Sequence, residues 1–367
     1  MRILFTNFHP RNGGGHVTYI MNLVRGLQGL HQLTVATPGS SRLYRLVSQL
    51  SDVNLVDMSF TTRPSSWLAD RAALRNLIVT HNIDTVHVNG SSDHKQVMLA
   101  LIGLRRPVRV IFTKHNDHSL SSFGHYLRAR FATDHVIAVS DHIKGLLLRS
   151  PYKRQPITTV RHGIDTDYFF PVKLAEKMQL RQQYFGPGFE EKILLGSAGG
   201  TDYAKGWLDL VTAVSALPHE QRSRFHIVVI GDLPNQLKRA QVADCGMSEQ
   251  VSFPGLLDDV RPVLAACDIG YVLSYQEALS FACRELMALG LPVLITRVGG
   301  LPENITNEQE GWIVPARSPE AIGLVLRQIL QEPQLLVKMG AQARARAECE
   351  FGLSNFVRAT CAIYSPH

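Results

Sequence analysis

Short apolar runs alternate with segments of helical period along this 367-residue chain, and that alternation constrains the fold more than any other feature. In the first half, residues 2–7, 33–37, 53–57, 85–88, 108–112 and 136–139 read as buried strands. Helical patterns fall at residues 16–30, 41–50, 67–81, 94–105, 123–132 and 141–149. The second half repeats the scheme, with strand-like runs at residues 192–196, 226–231, 251–255, 269–273 and 311–315. Strands that alternate singly with helices build doubly wound parallel sheets. The expected class is α/β, with two Rossmann-like domains at residues 1–170 and 191–350 and a Pro/Gly-containing linker or hinge at 171–190. Ligands of such sheets bind outside the carboxyl ends of the strands.

Composition narrows the setting. With 45% hydrophobic and 19% charged residues the chain has ample core for a soluble protein, and its length suits two domains. No apolar run approaches a membrane span and no secretory signal precedes Ile3. The five cysteines are odd in number, widely spaced and all in the second half, so reduced core cysteines in a cytoplasmic protein are expected. Residues 1–170 carry 20 Lys and Arg against 10 Asp and no Glu, a net charge of +10, whereas the remainder is net −3. That asymmetry directs the first half toward something anionic: a phosphorylated glycolipid, a phospholipid surface or nucleic acid. The last finds no motif.

Four stretches carry chemistry. After the first strand comes His9-Pro-Arg-Asn-Gly-Gly-Gly15, then a helix from His16; a glycine loop at a helix N-terminus lets backbone amides approach a phosphate. Its spacing matches neither the dinucleotide fingerprint nor the P-loop. Lys114-His115-Asn116-Asp117 follows another strand end. Beyond the linker, Ser197-Ala-Gly-Gly-Thr-Asp-Tyr-Ala-Lys205-Gly206 follows the first strand of the second domain. Last, the loop Tyr275-Gln-Glu-Ala-Leu-Ser280 leads into Phe281-Ala-Cys-Arg-Glu285, which a helix starting near Ser280 and ending at Gly290 would carry. Glu277 then stands in the loop and Glu285 in the second turn, both flanking a helix terminus suited to a pyrophosphate.

The Glu277–Glu285 spacing, the tail Gly290-Leu-Pro-Val-Leu-Ile-Thr-Arg-Val-Gly-Gly-Leu-Pro-Glu303, Lys205-Gly206 and the first-strand glycine loop together resemble retaining glycosyltransferases of the GT-B fold, the large family 4 type, over nearly the whole chain. The resemblance implies two domains with a cleft between them and a last segment, 351–367, whose helix returns to the first domain. It assigns His115, Glu277 and Lys205 to catalysis. Donor binding would involve Gly14, Gly15, Gly199, Lys205, Gly231, Phe253, Glu277, Leu279, Ser280, Phe281 and Glu285, with the acceptor side at Gly13, His16, Lys114 and Asn116. The family arginine before Lys-Gly is missing here, its place taken by Gly199 or Gly200, and two glycines of the glutamate loop are replaced. A similar Gly-Ser loop occurs in transferases of lipopolysaccharide core assembly.

The expected activity is retaining sugar transfer from a nucleotide sugar, UDP favoured, to a glycolipid or envelope glycan such as lipopolysaccharide. No cofactor is expected and no metal, since Asp165-Thr-Asp167 falls in the interdomain segment. The partners would be the donor, an anionic acceptor and, peripherally, the inner membrane surface, with no nucleic acid. The other readings are a sugar-nucleotide-binding scaffold without catalysis and a GT-B epimerase.

Overall fold

The structure is a computed structural model describing residues 1–60 and 67–365. The chain divides into two compact units, Met1–Gly163 with Leu353–His367, and Ile164–Gly352.

The first unit contains β1 (Arg2–Thr6), β2 (Gln32–Thr37), β3 (Val53–Asp57), β4 (Thr85–Val88), β5 (Arg109–Lys114), β6 (His135–Ala138) and β7 (Ile157–Thr159). They form one parallel sheet in the order β3-β2-β1-β4-β5-β6-β7. The central strands are buried along nearly their whole length, as strands covered by helices on both faces must be. The order reverses between β1 and β4, which pair directly. At such a switch point the loops leaving the strand ends diverge to opposite faces and open a crevice.

The helix Leu353–Tyr364 completes this unit against the helix Gly14–Leu27. Gly26 makes the approach possible, because a Cβ there would lie 2.3 Å from Val357 Cγ2. Phe356 packs edge-on to Tyr19 at 5.1 Å, and the Tyr364 hydroxyl bonds His87 Nδ1 at 2.5 Å.

The second unit contains β8 (Ile193–Ser197), β9 (Phe225–Ile230), β10 (Val251–Gly255), β11 (Ile269–Val272), β12 (Val293–Thr296) and β13 (Gly311–Val314). Their order is β10-β9-β8-β11-β12-β13, again parallel, with the switch between β8 and β11. Its core has two layers, one around Trp207, Phe225 and Tyr271, the other around Leu286, Val293 and Phe351.

Most expected elements stand within a few residues of their sequence positions. The expected linker differs. Residues 164–170 belong to the second unit, and within 171–190 the chain forms the helix Leu174–Phe185. Arg181 explains why this helix is packed down rather than a free hinge. Its guanidinium is 3% exposed, and it donates to the Ala266 carbonyl and to Asp268, which also pairs with Lys177 at 2.7 Å. Lifting the helix would break these bonds and leave the Asp268 carboxylate without its two cationic partners. Among the described residues no helix is long and apolar enough to cross a membrane.

Candidate functional site

Both sheets place the residues of interest at their switch points. In the first unit, Gly13 (φ 66°) caps the helix Gly14–Leu27. A side chain is excluded at Gly13, where a Cβ would lie 2.6 Å from Val17 Cγ2, and Gly14 (φ 48°) also has a left-handed backbone. The amides of Gly14 and Gly15 lie in the first turn, where helix N–H groups have no intrahelical acceptor, and both residues are exposed. This terminus suits an anion or a sugar hydroxyl.

Beside it stand three imidazoles. His16 packs on His115 with ring centroids 4.3 Å apart, and His9 meets His16 edge-on at 4.6 Å. Tyr19 closes the far side of His115 at 4.5 Å. Burial, with repulsion from His9 and Lys114, lowers His16 to about 3. His115 is lowered well below its ordinary value by burial, then by His16, His87, His162 and His9. Near pH 7 these rings are neutral, able to exchange hydrogen bonds with hydroxyl groups but not to act as fixed cations. Beneath them His87, lowered by burial to about 3, joins Tyr364 to Thr113, whose hydroxyl also bonds Tyr19.

Lys114 makes its hydrogen bonds within its own loop. Its ammonium donates to Asn116 Oδ1 at 2.8 Å and to the His118 carbonyl at 2.9 Å, pinning the loop after β5. Burial pulls it down to about 8, offset by Asp117. Lys114 and Asn116, expected on the acceptor side, therefore organise that loop. The sequence does not single out Asn89 or Asp93. Asn89 bonds His115, and Asp93 holds Asn89. Only the sheet order brings the ends of β1, β4 and β5 together, so no spacing in the chain signals this group.

In the second unit the loop after β8 is built on a close glycine pair. A Cβ at Gly231 would lie 2.5 Å from Gly200 Cα, and Gly200 has φ 74°. Gly200, one of the two glycines expected in the place of the family arginine, is thus packed backbone on backbone. Gly199 abuts the aliphatic stem of Lys205, and its N–H donates to Ser197 Oγ. Lys205 Nζ stands 3.5 Å from Glu277 Oε2, with 40% and 21% of the two side chains exposed. The loops carrying them are clipped together, since Tyr275 N–H donates to the Ala204 carbonyl at 2.8 Å. Two more glycines press on this arrangement: a Cβ at Gly206 would meet the Leu273 carbonyl oxygen at 2.0 Å, and one at Gly299 the Glu277 carbonyl oxygen at 1.9 Å.

The helix Phe281–Ala288 begins as expected next to Ser280, whose hydroxyl accepts from Cys283 N–H at 3.2 Å. Glu277 is in the loop, and Glu285 is partly exposed in the second turn. The Leu279 side chain is buried, and its carbonyl accepts from Asn304 Nδ2 at 2.6 Å. Asn304 in turn accepts from the buried Arg284, whose guanidinium lies 4.0 Å from the Phe351 ring centroid. Sequence alone gives no sign of this anchor, since Arg284 reads there as an ordinary helix cation. The Phe253 ring is half-buried, edge-on to Trp207 at 5.6 Å and with the Arg239 guanidinium 5.8 Å from its centroid. Asp165, the first member of Asp165-Thr-Asp167, accepts from the N–H groups of Asp167 and Tyr168 and so shapes a turn.

Comparison with known families decides what this pair of sites belongs to. Residues 13–168 match Glycosyltransferase Family 4, and residues 181–346 match Glycosyl transferases group 1. The chain is a group 1 glycosyltransferase. It is 26% identical over 328 residues to the N-acetyl-alpha-D-glucosaminyl L-malate synthase of Bacillus anthracis, spanning 85% of this chain and 82% of that one. It is 25% identical over 373 residues to a GDP-mannose-dependent alpha-(1-6)-phosphatidylinositol monomannoside mannosyltransferase of Mycobacterium tuberculosis, spanning 93% and 92%. The fold is that of Anabaena HepE, solved in complex with UDP: TM-score 0.85 at 18% identity, over 99% of both chains. The two parallel sheets of this glycosyltransferase are those of the GT-B class.

Proposed function

We propose that this glycosyltransferase moves a sugar from a nucleoside diphosphate donor, UDP favoured, to an anionic glycolipid or envelope glycan of the lipopolysaccharide type, with retention of configuration and without a metal ion. The observation that carries the donor half is the Lys205–Glu277 pair beside the N-terminus of helix Phe281–Ala288, at the switch point of the second sheet. Lys205 and the positive end of that helix's dipole offer positive charge to the diphosphate as it leaves, the electrostatic role a metal plays in other transferases. Glu277 takes hydroxyls of the transferred sugar, and Glu285 those of the ribose. From the first unit, His115 and the Gly13–Gly15 amides serve the reacting sugar and the acceptor.

The acceptor reading rests on the net charge of +10 over residues 1–170. The names of the two relatives, one including L-malate and the other phosphatidylinositol, are consistent with an acidic acceptor. Membrane proximity is supported by the helix Phe123–Phe131, where Phe123, Tyr126 and Phe131 are 75%, 50% and 67% exposed and no residue is acidic.

The test is thermal unfolding with UDP, GDP and ADP in turn, each with and without EDTA. A nucleotide that binds only the folded chain raises the melting point by mass action. The expected result is a shift with UDP that EDTA leaves intact. A shift with GDP alone, or one abolished by EDTA, would reassign the donor or the metal requirement.

A further inference from the structure

Asn89 directly follows β4, at the switch point of the first sheet, and is 2% exposed. Its side-chain nitrogen donates to the Thr6 carbonyl at 3.1 Å and to the His87 carbonyl at 3.4 Å. Its backbone N–H donates to Asp93 Oδ2 at 2.9 Å, the same oxygen that accepts from Thr6 Oγ1 at 2.7 Å. Two carbonyls around Nδ2 and a carboxylate on the backbone leave the amide one orientation, so Oδ1 is the atom set 2.9 Å from His115 Nε2. An amide oxygen only accepts, so Nε2 must carry the hydrogen. A neutral imidazole has one N–H, and His115 is kept neutral by burial and by the neighbouring His16, His87, His162 and His9. Nδ1 therefore keeps its lone pair.

We propose that Asn89 is a positioning residue for sugar transfer, fixing His115 in the Nε2–H tautomer so that Nδ1 is offered to a substrate hydroxyl as an acceptor. The inference rests on the reading that His115 serves the reacting sugar. The ring itself has little freedom, with His16 on one side at 4.3 Å and Tyr19 edge-on at 4.5 Å, so the choice of tautomer is what remains to be set. The neighbouring hydrogen bond decides which imidazole nitrogen is the acceptor. Asp93 acts one step further out: it fixes Asn89 and does not reach the imidazole through any hydrogen bond among the described residues.

The first measurement is nitrogen NMR of the full chain labelled at histidine, with His115 assigned by the signal lost in His115→Ala. The wild type should show the Nε2–H tautomer, and Asn89→Ala a mixture. An Nδ1–H tautomer in the wild type, or an unchanged one in Asn89→Ala, overturns the proposal whatever the activity. Kinetics supply the second readout. Asn89→Ala should lower kcat by about tenfold or more, the loss typical when a group orienting an active-site histidine is removed, with donor KM changed less than about threefold. In a His115→Ala background the same substitution should cost nothing further, because the residue acts through the imidazole. An equal loss in both backgrounds overturns the proposal. Should His115→Ala leave transfer intact, the functional reading fails while the tautomer result stands by itself.

Discussion

Lys205 Nζ and Glu277 Oε2 stand 3.5 Å apart on two loops that a backbone hydrogen bond, from Tyr275 to Ala204, holds in register. The pair is partly exposed, so its mutual attraction contributes only about 0–1 kcal/mol to stability. Lys205→Ala should therefore leave the melting point within about 3 °C of the parent. Nucleotide-diphosphate affinity should fall at least about tenfold, a free-energy difference of about 1.4 kcal/mol. Calorimetric titration together with thermal unfolding checks both parts. A stability loss matching the affinity loss would make the lysine structural.

Ser280 has φ 88° and ψ 111°, a backbone conformation that side chains adopt only under strain of about 1–3 kcal/mol. Its hydroxyl caps the following helix, and replacing a serine cap by glycine costs only a few tenths of a kcal/mol. Relief exceeds loss, so Ser280→Gly should stabilise the chain by about 1 kcal/mol. Urea unfolding reads the change directly.

Gly231 and Gly200 touch through backbone alone. With φ 135° at Gly231, and only 2.5 Å between Gly200 Cα and the position a Cβ would take, Gly231→Ala has no rotamer that avoids the contact. A destabilisation of more than about 2 kcal/mol is expected, from backbone strain and overpacking together. The affinity for nucleotide should fall with it, because the same loop leads to Lys205. Urea unfolding and nucleotide titration of the variant check the two effects.

Acid stability follows from the buried imidazoles. His16, His87 and His94 are each lowered to about 3 by burial, so below pH 6.5 the unfolded chain takes up protons that the folded chain refuses. Stability from these groups is complete above about pH 6.5 and is lost as pH falls toward 3. Asp93 has the opposite sign. Burial raises it to about 6, so between pH 4 and 6 its folded form holds a proton more tightly and gains stability on acidification. His115, His125 and His226 are lowered by burial as well, so the imidazoles outweigh Asp93 and acidification brings a net loss. The urea midpoint should be lower at pH 5 than at pH 7, and His94→Gln should reduce the difference.

Phe123, Tyr126 and Phe131 lie on a helix with no acidic residue, whose exposed charge is Arg130, Arg128 being buried. Sedimentation with vesicles containing anionic lipid should capture the protein at low salt and release it as salt rises, since basic residues near the surface contribute about 1 kcal/mol each until screened. Phe123→Ser with Phe131→Ser should weaken capture without lowering the melting point. Equal capture by neutral vesicles would contradict the electrostatic part.

Much of this is visible in the chain. The alternation of apolar runs and helical patterns locates the strands because parallel strands are buried on both faces and leave continuous signals. Strand β7, with three residues of which two are threonine, leaves almost none. The helix Leu174–Phe185 hides in a stretch that reads as linker because its exposed face carries Glu176, Gln179, Gln182 and Gln183, and its packing is anchored by a buried arginine. In the site, Glu277, Ser280 and Lys205 carry local motifs and can be read. Asn89, Asp93 and Arg284 cannot, because each matters through a partner distant in sequence that only the sheet order or a loop crossing supplies.

The helix Leu353–Tyr364 gives the chain an order of assembly. The second unit is one uninterrupted stretch, so it can finish folding once residue 352 has left the ribosome. The first unit is synthesised earlier but completed later: until the last helix emerges, Gly26 and Tyr19 have an uncovered face and His87 lacks its tyrosine. The unit synthesised first is thus the unit that waits, and a translation product ending near residue 352 would contain one finished unit and one with the face around Gly26 and Tyr19 uncovered.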